Sequence, residues 1–173
     1  MKKKWLSFLS VVMVLSCSMS SAFAGSPHDS GSTFLRGLKI PSLYSTLDSK
    51  IGCSYSYGAA GPDSFDCSGL VWFVYKNQNS IPLGTIHGSA EIAQYLSMKG
   101  AGCSSASLMS YDLIFYDIST SNDNKFMGID HVAIYLNSSD GMLAEARPTY
   151  GVVYSSYRRN QSKEVFYADP FVS

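Results

Sequence analysis

The stretch PDSFDCSGLVWFVY, residues 62–75, holds one cysteine between an acid and a serine at the point where a turn-rich segment becomes apolar. From Leu70 to Tyr75 the run is apolar nearly all round, and the KNQN that follows is abruptly polar, the pattern of a buried helix ending near Asn77. Asp66 is placed as its N-cap, because an Asp side chain accepts from the otherwise unpaired N–H groups of the first turn. Cys67 then falls in that first turn, where the same N–H groups and the helix dipole favour an anion. A thiolate is the reactive form of cysteine. Cys67 is thus either a buried structural thiol or a nucleophile beside a ready-made oxyanion site.

A nucleophile needs a base. His28 lies in a Gly-, Ser- and Pro-containing leader and has no evident role, and His87, in TIHGS, reads as a solvated loop histidine. His131 opens DHVAIYL, where His131, Ala133 and Tyr135 share one strand face and Val132, Ile134 and Leu136 the other. An imidazole at the entry of a strand can meet a helix N-terminus packed across it. A thiol on a helix followed by a strand-borne histidine is the papain-type order.

The first 24 residues read as a secretory signal: Lys2 to Lys4, the apolar run Trp5 to Leu15, and Ala22-Phe23-Ala24 at the cleavage point. A lipoprotein-like box ending at Cys17 is the minor alternative and would leave the chain lipid-anchored. Residues 25–41 read as a flexible leader and 42–173 as one domain. Without the three early lysines, 10 basic residues face 13 acidic ones, with no basic stripe, which argues against nucleic acid. No later apolar run approaches the roughly 20 residues of a membrane span. Three cysteines follow the signal, Cys53, Cys67 and Cys103. Either Cys53 pairs with Cys103 or all three are reduced, and the absence of C-x-x-C spacing argues against a zinc site. No metal and no cofactor are expected.

SLYSTLDSKIG (42–52) predicts a short helix, and SAEIAQYLSMKG (89–100) a second amphipathic one capped by Ser89. YDLIFYD, DHVAIYL, GMLAEA, GVVY and EVFY are short β-branched and aromatic runs separated by turns such as NSSDG. Helices followed by consecutive strands predict an α+β fold, with N-terminal helices packed on an antiparallel sheet of about five or six strands. The long polar segment 118–129 is a candidate flank of a site.

YSYGAAGPDSFDCSGLVWFVY resembles the signature of the NlpC family of bacterial cell-wall peptidases, in which a Tyr-x-Trp-Gly and a Pro precede Phe-Asp-Cys-Ser-Gly-Leu-Val. SYDLIFYD and DHVAIYL resemble two further strands of that family, so the likeness runs over about residues 42–168. It implies a papain-like cysteine peptidase acting on peptidoglycan stem peptides, most often at the bond between D-γ-glutamate and a diamino acid. On matching positions it makes Cys67 the nucleophile, His131 the base, and Tyr55, Asp66 and Ser68 contacts for the amino end of the stem. Ser89 falls in the substrate-binding set, and a monomer is expected.

Three departures stand out. Glu145 occupies the place of the His, Asn or Gln that orients the catalytic ring, a role a carboxylate can fill. Tyr57 replaces the signature Trp. His87 lies near a position where many members carry an Arg. Two other readings of the same scaffold remain open: an amidase or acyl transferase, and a wall-binding domain without activity.

Overall fold

The computed structural model describes residues 27–76, 83–119, 124–137, 139 and 141–172. The signal peptide, Cys17, the end of the buried helix at Asn77, residues 120–123 of the long loop and parts of NSSDG lie outside them.

Helix α1 (Ser30–Asp48) begins where Asp29 accepts a hydrogen bond from the Ser32 N–H. Two short strands follow, β1 (Ser54–Tyr55) and β2 (Ser64–Phe65), paired in parallel. Helix α2 (Cys67–Tyr75) and helix α3 (Ser89–Met98) complete the helical half. The second half is β3 (Leu113–Tyr116), β4 (His131–Asn137), β5 (Met142–Arg147), β6 (Gly151–Ser156) and β7 (Glu164–Ala168). These five strands form one antiparallel sheet in the order β6-β5-β4-β3-β7. The α+β expectation holds, with five strands.

Period-2 alternation sorts the sheet into two faces. Leu113, Phe115, Val132, Ile134, Ala144 and Val152 join Leu70, Val71 and Val74 of α2 and Leu43 and Leu47 of α1 in the main core. Ile114, Tyr116, Ala133, Tyr135 and Leu143 form a smaller cluster on the other face, with Tyr157 and Tyr167 packed against it. Burial of each large apolar side chain contributes about 1.5–3 kcal/mol. The core therefore fixes α2 across β4, which carries the N-terminus of the one toward the first residue of the other.

The leader expected over 25–41 is a correction. The chain is helical from Ser30, and the helix expected at 42–52 is the second half of α1, which runs through Pro41. Local composition is overridden by a distant contact. Arg36, only 4% exposed, donates to the Ser110 carbonyl and, at 2.7 Å each, to Asp112 and Asp169. A second correction concerns α3: its N-cap is Gly88, with no side-chain cap, and Ser89 is its first residue. All three cysteines among the described residues are free, so Cys53 and Cys103 are not bridged. No helix among those residues is long and apolar enough to cross a membrane.

Candidate active site

Cys67 is the first residue of α2 and is nearly buried. Asp66 fixes the turn around it. One carboxylate oxygen accepts from the Gly69 N–H at 2.6 Å and from the Ser68 hydroxyl at 3.0 Å, and the other accepts from the Gly58 N–H at 2.8 Å. Gly69 is required by close approach: a Cβ there would stand 2.1 Å from the Ala59 carbonyl oxygen. The loop 58–60 can therefore close on the helix N-terminus only because residue 69 has no side chain.

His131, the first residue of β4, stands close enough to Cys67 for the sulfur to favour its protonated ring. Its Nε2 is 2.6 Å from Glu145 Oε2 on β5. Glu145 is 2% exposed, so it is not a solvent-facing strand acid. Its other oxygen accepts from the Ser155 hydroxyl and from Arg159, the latter at 2.9 Å. Burial opposes charge on both partners, but the bonds between them prevail. His131, held also by Cys67, is raised from 6.5 to about 9, and Glu145, held also by Ser155 and Arg159, is lowered from 4.5 to about 2. The arrangement favours an imidazolium beside the sulfur.

Cys67 opens onto a cleft of about 470 Å³ lined by Tyr55, Asp66, Ser68 and Ser89, among others. The structure thus brings His131 and Glu145 together beside Cys67, and places Tyr55, Asp66, Ser68 and Ser89 along the same cleft. Burial, with Cys67 and Asp66 nearby, pushes the Tyr55 phenol up.

The sequence did not disclose several neighbours. Ser155 and Arg159 hold Glu145 but belong to no local motif. His87 lines the cleft half-buried, edge-on to Trp72 with ring centroids 6.1 Å apart, and its Nε2 is buried without a hydrogen-bond partner among the described residues. Glu91, Ser119 and Lys125 also line the cleft, so the 118–129 segment does flank it. Asp130 accepts from the Ile118 and Ser119 N–H groups at 2.9 and 2.7 Å, which ties the start of that segment to the residue before His131.

A helix-borne thiol, a strand-borne imidazole and a carboxylate behind it, on helices packed against an antiparallel sheet, define a papain-like α+β domain. The NlpC/P60 family model matches residues 52–169, and the chain belongs to that family of cell-wall cysteine hydrolases. A probable endopeptidase p60 of Listeria seeligeri is 35% identical over 106 residues, 61% of this chain and 17% of the relative. The chain spans about a fifth or less of the Listeria relatives it matches. Among solved structures, the P60 domain of a Mycobacterium avium paratuberculosis antigen superimposes with a TM-score of 0.60 at 17% identity, covering 79% of this chain and 96% of that one. RipD of Mycobacterium tuberculosis, described as a non-catalytic NlpC/p60 domain protein adapted to peptidoglycan binding, gives 0.53 at 19% identity, covering 74% and 94%. Both likenesses concern the fold.

Proposed function

We propose that this protein is a secreted cysteine endopeptidase that cleaves peptidoglycan stem peptides at the D-γ-glutamyl–diamino acid bond. The observation that carries the reading is the His131–Glu145 pair beside Cys67, which itself lines a cleft. The Cys67 thiolate attacks the scissile carbonyl carbon, and the developing oxyanion meets N–H groups of the first turn of α2. The Gly69 N–H is already committed to Asp66, so the donors lie before it. His131 passes its proton to the leaving amine, a thioester forms, and water deprotonated by His131 releases the acid. Glu145 orients the ring and balances its charge.

Tyr55, Asp66, Ser68 and Ser89 receive the amino end of the stem. An ammonium there shares the Asp66 carboxylate with the chain groups that already bond it, which favours a snug fit over a long cationic side chain. His87, with its unpartnered buried nitrogen, takes the polar contact that the expected Arg would make. The domain acts as a monomer outside the cytoplasm after cleavage near Ala24, with the lipid anchor at Cys17 the alternative.

A second reading, a wall-binding domain without activity, has its support in the fold shared with RipD. Digestion of purified muropeptides, read by mass spectrometry beside Cys67→Ala, separates the two. Loss of the diamino-acid portion with the parent alone supports the endopeptidase. Intact stems with equal sacculus binding by both proteins overturn it, and release of a different acyl group points to the amidase or transferase on this scaffold.

A further inference from the structure

Outside the set of residues that line the cleft, His28, Cys103 and Asp112 present one Nε2, one Sγ and one carboxylate oxygen that all lie within 4.8 Å of one another. Among the described residues this is the one group of three or more His, Cys, Asp or Glu side chains with such spacing. His28 Nε2 is 2.8 Å from Asp112 Oδ2, Cys103 Sγ is 4.0 Å from the same oxygen, and Asp169 Oδ2 stands 3.9 Å from His28 Nε2. We infer that His28, Cys103 and Asp112 form a site for one divalent cation of the zinc class, with the Asp169 carboxylate beside it, which fastens the segment before α1 to the body of the domain.

The donor chemistry selects the ion. One imidazole nitrogen, one sulfur and carboxylate oxygens suit a borderline-soft, tetrahedral cation rather than calcium or magnesium, which take oxygen alone. With bonds of about 2.0–2.3 Å, ligand atoms of a tetrahedral zinc stand roughly 3.3–3.7 Å apart. The His28–Asp112 and Cys103–Asp112 separations of 2.8 and 4.0 Å fall on either side of that range.

The charges fit as well. Asp112 and Asp169 are completely buried, and Arg36 takes one oxygen of each at 2.7 Å, which leaves Oδ2 of both facing His28. When the His28 ring carries its proton, the two acids and two bases sum to neutral. A divalent cation with the Cys103 thiolate also carries a net single positive charge, so it replaces that proton without changing the charge of the buried cluster. Ion entry therefore expels the thiol proton and any proton on the ring, and binding tightens as pH rises.

Arg36, on Oδ1 of both, holds the carboxylates from behind, as ligands in metal sites commonly are held, while backbone N–H groups share the Oδ2 atoms. The Met109 N–H donates to Asp112 Oδ2 at 2.7 Å and the His28 N–H to Asp169 Oδ2 at 2.9 Å. Spacing rules could not find this site, because His28 and Asp112 are 84 residues apart and His28 and Asp169 141.

The test is a cobalt(II) titration of the full chain carrying Cys67→Ala, so that the cleft thiol cannot contribute. The site predicts one equivalent bound, with a thiolate-to-cobalt absorption band that zinc displaces and that weakens as pH falls. Cys103→Ser abolishes the band, and His28→Ala, which alters only the segment before α1, weakens cobalt binding by about tenfold or more. No band in the Cys67→Ala chain overturns the inference, as does a band that survives Cys103→Ser. Unchanged affinity in His28→Ala overturns it too, whatever becomes of the Cys103 variant.

Discussion

Arg159 reaches Glu145 Oε1 at 2.9 Å, while His131 occupies the other oxygen of the same carboxylate. The carboxylate behind the His131 ring is therefore itself positioned, from a 3₁₀ segment at 157–163 that lies beyond the next strand. Arg159→Ala leaves the folded chain within about 1 kcal/mol of the parent, since the guanidinium is 37% exposed and solvent screens it. It lowers kcat several-fold with KM little changed. An altered KM with normal kcat would place Arg159 in substrate binding instead.

Glu145→Gln preserves the shape and an acceptor for the ring but removes the charge. The loss in kcat/KM stays below the roughly 10²–10⁴-fold that a positioned acid–base group supplies. The alkaline limb of the pH–rate profile moves downward, because His131 no longer has a carboxylate to hold its proton up toward 9. A limb that stays in place would show that Cys67 alone sets the imidazolium.

The same pair makes stability depend on pH. Glu145 is depressed from 4.5 to about 2, so its contribution is complete above 4.5 and disappears as pH falls through 2. His131 is raised from 6.5 to about 9, so its contribution is complete below 6.5 and disappears as pH rises through 9. The advantage of the parent over Glu145→Gln in denaturant unfolding is therefore greatest between about pH 4.5 and 6.5 and declines toward 9. A difference that does not decline between about pH 6.5 and 9 would refute the pairing.

Gly69→Ala drives a methyl against the Ala59 carbonyl, 2.1 Å from the Cβ position. Backbone must move, which costs about 1–3 kcal/mol. The move shifts the turn that carries Cys67, so iodoacetamide labelling of Cys67 slows together with the loss of stability. Unfolding midpoints beside labelling rates check both, and a variant with parental stability would show that loop 58–60 gives way freely.

Much of this was legible because it is local. Asp66 caps α2 as its position implied, the five strands fall where alternation placed them, and Cys67, His131 and Glu145 meet. What escaped depends on partners far away in sequence. The Gly- and Pro-containing stretch before Ser42 is helical because Arg36 is held by acids 76 and 133 residues on. His28, read as idle, bonds Asp112 across 84 residues. Ser89 was misread as a cap because Gly88, which takes that place, offers no side chain to recognise.

Asp66, Ser68 and Gly69 hold the reactive turn through bonds that do not involve the Cys67 sulfur. Frame and reagent are thus separable inheritances. A single codon change at position 67 can silence the chemistry and leave the groove standing, whereas a change at 66 or 69 puts the groove itself at risk. On such a scaffold, the passage from cutting a polymer to merely gripping it is one short step, and the return is equally short for as long as the frame is kept.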